Sequence, residues 1–113
     1  AFGGPIGRNQ GVAFALSDLA VAVENASNLT YKAAWLKDAG LPCSQAASMA
    51  KLYSTETAVT ATRVATQIFG GSGFIEDNAI ARFYRDAKIL EVGEGTSEIQ
   101  KIVIARGLGL PVR

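Results

Sequence analysis

A chain of 113 residues makes one small domain, long enough to bury a core and too short for two. Its 11 Lys plus Arg nearly balance 10 Asp plus Glu, and no block of like charge appears, so nothing marks a nucleic-acid or polybasic membrane surface. The absence of His and the single Cys43 exclude a Cys/His zinc cluster, a His-based triad and an intramolecular disulfide, and no apolar run reaches the roughly 18 residues of a membrane span.

The opening AFGGPIG has no initiator Met and places a Phe before a Gly/Pro turn, which reads as a fragment or a processed piece. From about Arg8 to Lys37 there is no Gly after Gly11 and no Pro. Val12, Leu16, Leu19, Val23, Ala26 and Leu29 recur at three- and four-residue spacing. This predicts one long helix of about 45 Å at 1.5 Å per residue. DAGLPCS supplies its stop, with Gly40 suited to the left-handed cap and Pro42 behind it.

Ser44 is an expected N-cap for a second helix running to about Ile68. Its inner stripe is Ala46, Met49, Ala50, Tyr53, Thr57, Ala61, Val64 and Ile68. GGSG, residues 70 to 73, ends it. A third helix is expected from near Asp77 to Asp86 and a fourth from Thr96 to Arg106, with Ile99, Ile102 and Val103 inward. Four helices with short connections imply an all-α, antiparallel, up-down-up-down four-helix bundle.

Charge is sparse on the two long helices. Between Arg8 and Lys32 the first carries only Asp18 and Glu24, and between Ser44 and Phe69 the second carries only Lys51, Glu56 and Arg63. A lone bundle wets about half of each helix, so these helices are expected to be covered by other domains or subunits. The mean hydropathy of +0.19 points the same way.

Two stretches invite a chemical reading. QIFGGSGF breaks a helix with three glycines. These serve either a plain turn or a close backbone approach to a bound group, with the Gln67 amide beside them. EVGEGTSEIQ sets Glu94 between two glycines at the mouth of a helix. Alone, such an acid reads as a dipole partner worth about 0.3 to 1 kcal/mol. Glu91 reads as solvated. RFYRDAKI reads as a charged helix end with its aromatics turned inward.

Five stretches, AFGGPIGRNQ, AAWLKDAG, AKLYSTETA, QIFGGSGFIEDNAIARFYRDAKI and GEGTSEIQKIVIAR, stand in an order and spacing that resembles the C-terminal helical domain of the acyl-CoA dehydrogenase family. The resemblance covers essentially all of residues 1–113. It implies that the N-terminal helical and central β domains of that family lie outside this chain.

It further implies FAD as cofactor, an acyl-CoA thioester as substrate, desaturation between Cα and Cβ, and electron-transfer flavoprotein as electron acceptor. A homotetramer or homodimer in the bacterial cytoplasm or the mitochondrial matrix is implied as well. Glu94 matches the catalytic base. Gln67 and Gly71 match positions at the FAD of a neighbouring subunit, Phe2 and Gln10 match flavin-contacting positions, and Thr96 and Glu98 match positions at the FAD. Gly95 and Arg106 match positions near the acyl-CoA. Many members carry an aromatic residue where Gly93 stands, which implies a wider pocket beside the thioester. A non-catalytic helical assembly module and an acyl-CoA oxidase are the alternatives.

Overall fold

The computed structural model describes residues 2–113. After a short 3-10 turn at Ile6–Arg8, four helices follow: α1 (Gln10–Asp38), α2 (Ser44–Phe69), α3 (Ala79–Val92) and α4 (Ser97–Gly107). Among the described residues there is no strand, and the fold is all-α.

The helix ends follow from their residues. At the end of α1, Gly40 takes φ +68. The Gly40 amide donates to the Lys37 carbonyl at 3.1 Å and the Leu41 amide to that of Leu36 at 2.9 Å, the double closure of a Schellman stop. The end of α4 repeats it around Gly109, where Gly109 donates to Arg106 and Leu110 to Ala105. α2 begins at Ser44, but its N-cap position is Cys43 and no side chain closes it, so the expected Ser44 cap is not formed.

Along α2, the hydroxyls of Ser54, Thr55, Thr62 and Thr66 donate back to carbonyls four residues earlier. These four hydroxyls of the charge-poor helix are thereby satisfied without water. Asn78 caps α3 by accepting from the Ile80 amide at 3.1 Å, and Thr96 caps α4 by accepting from that of Ile99 at 3.4 Å.

α3 extends to Val92, six residues beyond the expected Asp86. Nothing in KILEV breaks a helix before Gly93, and Lys88 pairs with Glu91 one turn on. Glu91 is therefore not solvated as expected: its side chain is 16% exposed against that lysine.

α2 is the spine, since α1, α3 and α4 each pack on it and hardly on one another. Gln45, near the start of α2, reaches the Ile104 carbonyl, whereas Lys51, a turn and a half further on, reaches that of Gly95. α4 thus runs against α2, along its N-terminal part. α3 descends from the far end of α2 to the same point and also runs against it. At 1.5 Å per residue α3 and α4 span about 21 and 16 Å, and together they match the roughly 39 Å of α2. α1, α3 and α4 all run against α2, so the bundle is antiparallel about α2, but α3 and α4 follow one another in the same direction, as one arm divided at residues 93–96, rather than alternating up and down.

This open arrangement buries little. The only apolar side chains buried among the described residues are Ala50 and Ala87, with Ser48 and Gln100 as buried polar ones. Of the expected α1 stripe, Val12, Leu19, Ala26 and Leu29 are half-buried, while Leu16 and Val23 are exposed. Ile99, expected inward, is half exposed, because no helix opposes α4 on that side.

The chain exposes 7958 Å², against about 5,900 Å² for a compact monomer of this mass. Its radius of gyration is 17.2 Å, against about 13 Å for a closed domain of this length. Phe14, Val21, Tyr31 and Trp35 on α1 contribute to the excess.

Candidate active site

The break between α3 and α4 holds two consecutive residues at positive φ. Gly93 ends α3 with its amide on the Ile89 carbonyl at 2.8 Å. Glu94 then turns to φ +56 and Gly95 to φ +91. A left-handed non-glycine residue costs about 1 to 2 kcal/mol, and the surrounding contacts hold it there.

The Gln100 side-chain amide, buried, donates to the carbonyls of Glu94 at 3.3 Å and Gly95 at 3.1 Å. The Lys51 ammonium donates to the Gly95 carbonyl at 2.6 Å. Gly95 is required twice over. Its φ suits glycine, and a Cβ there would stand 2.8 Å from Gln100 Nε2 and 3.4 Å from Ile99 Cγ2.

The loop leaves Glu94 exposed, and among the described residues no ion pair engages its carboxylate. Thr96 is half-buried as the cap of α4. Glu98 sits in the first turn of α4, where its own backbone N–H, and then the Thr96 hydroxyl, hold its carboxyl below the usual carboxylate value.

A second cluster lies at the other end of α2. The start of α1 and the last turns of α2 enclose an open groove of about 530 Å³, lined among others by Phe2, Asn9, Val12, Arg63, Gln67 and Ile68. Phe2 is 98% exposed at φ +56, and Gln10 opens α1 beside the groove. Gly71 follows in the 3-10 turn Gly70–Gly73, and a Cβ there would meet nothing within 4 Å. Sixteen residues of helix separate Lys51 from Gln67, about 24 Å. Phe2, Gln10, Gln67 and Gly71 are therefore gathered together, but away from Glu94, Gly95, Thr96 and Glu98.

Arg106 joins neither cluster. It lies nine residues along α4 from Ser97, about 14 Å. Its Nε donates to the Val112 carbonyl at 3.3 Å, beside a hollow lined by Pro42, Ser44, Gln45 and Val103.

Lys51 and Gln100 escaped the reading of the sequence as site residues. The one signal for Lys51 is its isolation as the only charge between Ser44 and Thr55. Nothing in the pattern connects it to a loop 44 residues away.

These features define a helical domain whose polar groups converge on one broken arm and one open groove. The chain matches the family described as acyl-CoA dehydrogenase, C-terminal domain, over residues 1–109, and it belongs to the acyl-CoA dehydrogenase family.

It is 48% identical over 104 residues to the short-chain specific acyl-CoA dehydrogenase of Clostridium acetobutylicum, covering 92% of this chain and 27% of that protein. It is also 48% identical over 105 residues to the mitochondrial short-chain specific acyl-CoA dehydrogenase of Bos taurus, covering 93% and 26%. The structure of butyryl-CoA dehydrogenase from Megasphaera elsdenii superposes with a TM-score of 0.93 at 42% identity, covering 96% of this chain and 28% of that one. The chain thus spans little more than a quarter of the length of these relatives.

Proposed function

We propose that the chain acts as the C-terminal domain of an FAD-dependent acyl-CoA dehydrogenase, with Glu94 as the base that removes the α-proton of an acyl-CoA thioester. The observation that carries this reading is the broken arm: an exposed carboxylate on a left-handed residue, flanked by glycines, with the carbonyls of residues 94 and 95 tied down.

An α-proton of a thioester is weakly acidic, so its removal needs a positioned carboxylate and a donor to the carbonyl oxygen as charge develops. Glu94 supplies the carboxylate and its backbone N–H the donor. Gly93 and Gly95 leave the thioester room to approach, and the lack of a side chain at Gly93 suits a wide or branched acyl group.

The residues of the second cluster fit the cofactor. The groove beside Phe2 and Gln67 is open and mostly apolar in its lining, and the open space at Gly71 admits a group against bare backbone. Phe2, Gln10, Gln67 and Gly71 would hold the FAD of a neighbouring subunit, because they stand about 24 Å from the Glu94 loop of their own. Thr96 and Glu98, beside the base, would hold the FAD of the same active site. FAD, when bound, accepts the hydride that leaves Cβ.

Gly95 lies at the thioester, and Arg106 faces a more distant part of the acyl-CoA. The N-terminal helical and central β domains complete the protein, and electrons leave to electron-transfer flavoprotein. The uncovered faces of α1 and α2 are closed by those domains and by further copies in a homotetramer or homodimer. The roughly 2,000 Å² of excess surface is of the size buried in obligate assemblies.

The test uses the full-length protein that carries these residues. It is expected to purify with flavin and to reduce an artificial electron acceptor on addition of acyl-CoA from a panel of chain lengths and branching. A flavin-free protein, or one inert on the whole panel, contradicts the proposal. Oxygen consumption without an added acceptor identifies an oxidase.

A further inference from the structure

The division of the third arm leaves a helix end lying against the middle of α2. The turn between the two helices carries carbonyls, those of Glu94 and Gly95, that neither helix pairs, and packed against protein they must find donors elsewhere. Here two side chains supply them. Gln100, from α4 itself, donates to both Glu94 and Gly95, while Lys51, from α2, donates to Gly95 alone. The Gly95 carbonyl thus accepts two hydrogen bonds, one of them charge-assisted.

Gln100 and Gly95 both belong to the loop and the helix that follows it, so they move together. Lys51 is the tie of different origin, reaching the loop from the helix on which the whole domain packs.

We propose that Lys51 is a positioning residue for Glu94: by donating to the Gly95 carbonyl across the break between α3 and α4, it holds the Glu94 backbone in the left-handed conformation that aims the base. This rests on the reading of Glu94 as the base. The two peptide planes on either side of Gly95 are pinned, the first by Gln100 and the second by Gln100 and Lys51 together. Without Lys51 the second plane is held by Gln100 alone, so the turn that carries φ +56 at Glu94 is held less firmly and relaxes toward conformations that a glutamate prefers. The carboxylate then points elsewhere for part of the time. Such a loss acts chiefly on the chemical step, because the proton leaves and charge develops on the thioester oxygen only in the transition state.

The experiment compares Lys51→Met, Lys51→Arg and Glu94→Gln with the parent in the full-length, flavin-loaded protein. It reads kcat per bound flavin, KM, and hydrogen exchange of the amides of residues 93–97. Lys51→Met is expected to lower kcat by on the order of 10²-fold with KM little changed. Exchange at 93–97 is expected to quicken while that of α1 stays as it was. Lys51→Arg, which keeps a cationic donor, is expected to restore most of both.

Parent-like kcat and exchange in Lys51→Met, with Glu94→Gln inactive, overturns the positioning role and leaves the base intact. An active Glu94→Gln overturns the base and this proposal with it, whatever the exchange shows. If Lys51→Met does not fold, Lys51→Gln, with a donor on a shorter stem, takes its place. It is expected to give an intermediate kcat, and a parent-like kcat there overturns the proposal equally.

Discussion

Gly73 lies directly against the backbone of Thr66: a Cβ at residue 73 would stand 2.9 Å from the Thr66 carbonyl oxygen and 2.9 Å from Phe69 Cβ. The carbonyl belongs to the last turns of α2 and cannot move aside without disturbing the helix. Gly73→Ala is therefore expected to destabilise the protein by about 1 to 3 kcal/mol, measured by denaturant unfolding. Parent-like stability would mean that the turn relaxes freely.

Two residues earlier the outcome reverses. Gly71 has open space where a Cβ would go, so Gly71→Ala is expected to leave stability unchanged or raise it by a few tenths of a kcal/mol. If a flavin lies against this backbone, the same methyl weakens FAD retention, measured as flavin content after dialysis. Unchanged retention would remove Gly71 from the cofactor site.

Thr96 has a structural duty whatever else it contacts. Its hydroxyl caps α4 at the Ile99 amide. Thr96→Ala is expected to cost about 0.5 to 1 kcal/mol in denaturant unfolding, and Thr96→Ser to cost little. Equal losses in both would assign the effect to the threonine methyl rather than to the cap.

Glu98 sets a pH dependence. Its carboxyl is held below the usual value by its own backbone N–H and the Thr96 hydroxyl, so the folded state favours the ionised form. That stabilisation is complete above the ordinary carboxylate value and is lost as pH falls through the lowered folded value. Thermal melting followed from neutral pH downward is expected to fall less steeply in Glu98→Gln than in the parent. Superimposable profiles would show that the first-turn charge adds nothing.

The legible parts of the fold were those with punctuation. Gly40 with Pro42 marked the end of α1, and the glycines from 70 to 73 marked that of α2, because left-handed caps and helix breakers are local events. The end of α3 was not legible. The charges of RFYRDAKI suggested a helix end, yet Lys88 and Glu91 pair across the last turn and the break waits for Gly93.

The facing of Ile99, Leu16 and Val23 was misread for another reason. An apolar stripe shows that a face wants cover without showing that this chain supplies it. In the site, Glu94 and its glycines stood out through the resemblance, but its left-handed backbone and the reach of Lys51 across 44 residues depend on tertiary packing.

The central claim is that Glu94 removes the α-proton. It is tested most directly by mixing full-length, flavin-loaded Glu94→Gln with an acyl-CoA that the parent turns over and following flavin bleaching in a single turnover. The account predicts a rate lower by at least about 10²- to 10⁴-fold, with flavin content unchanged. Bleaching at the parent rate would contradict it and place the base elsewhere in the protein.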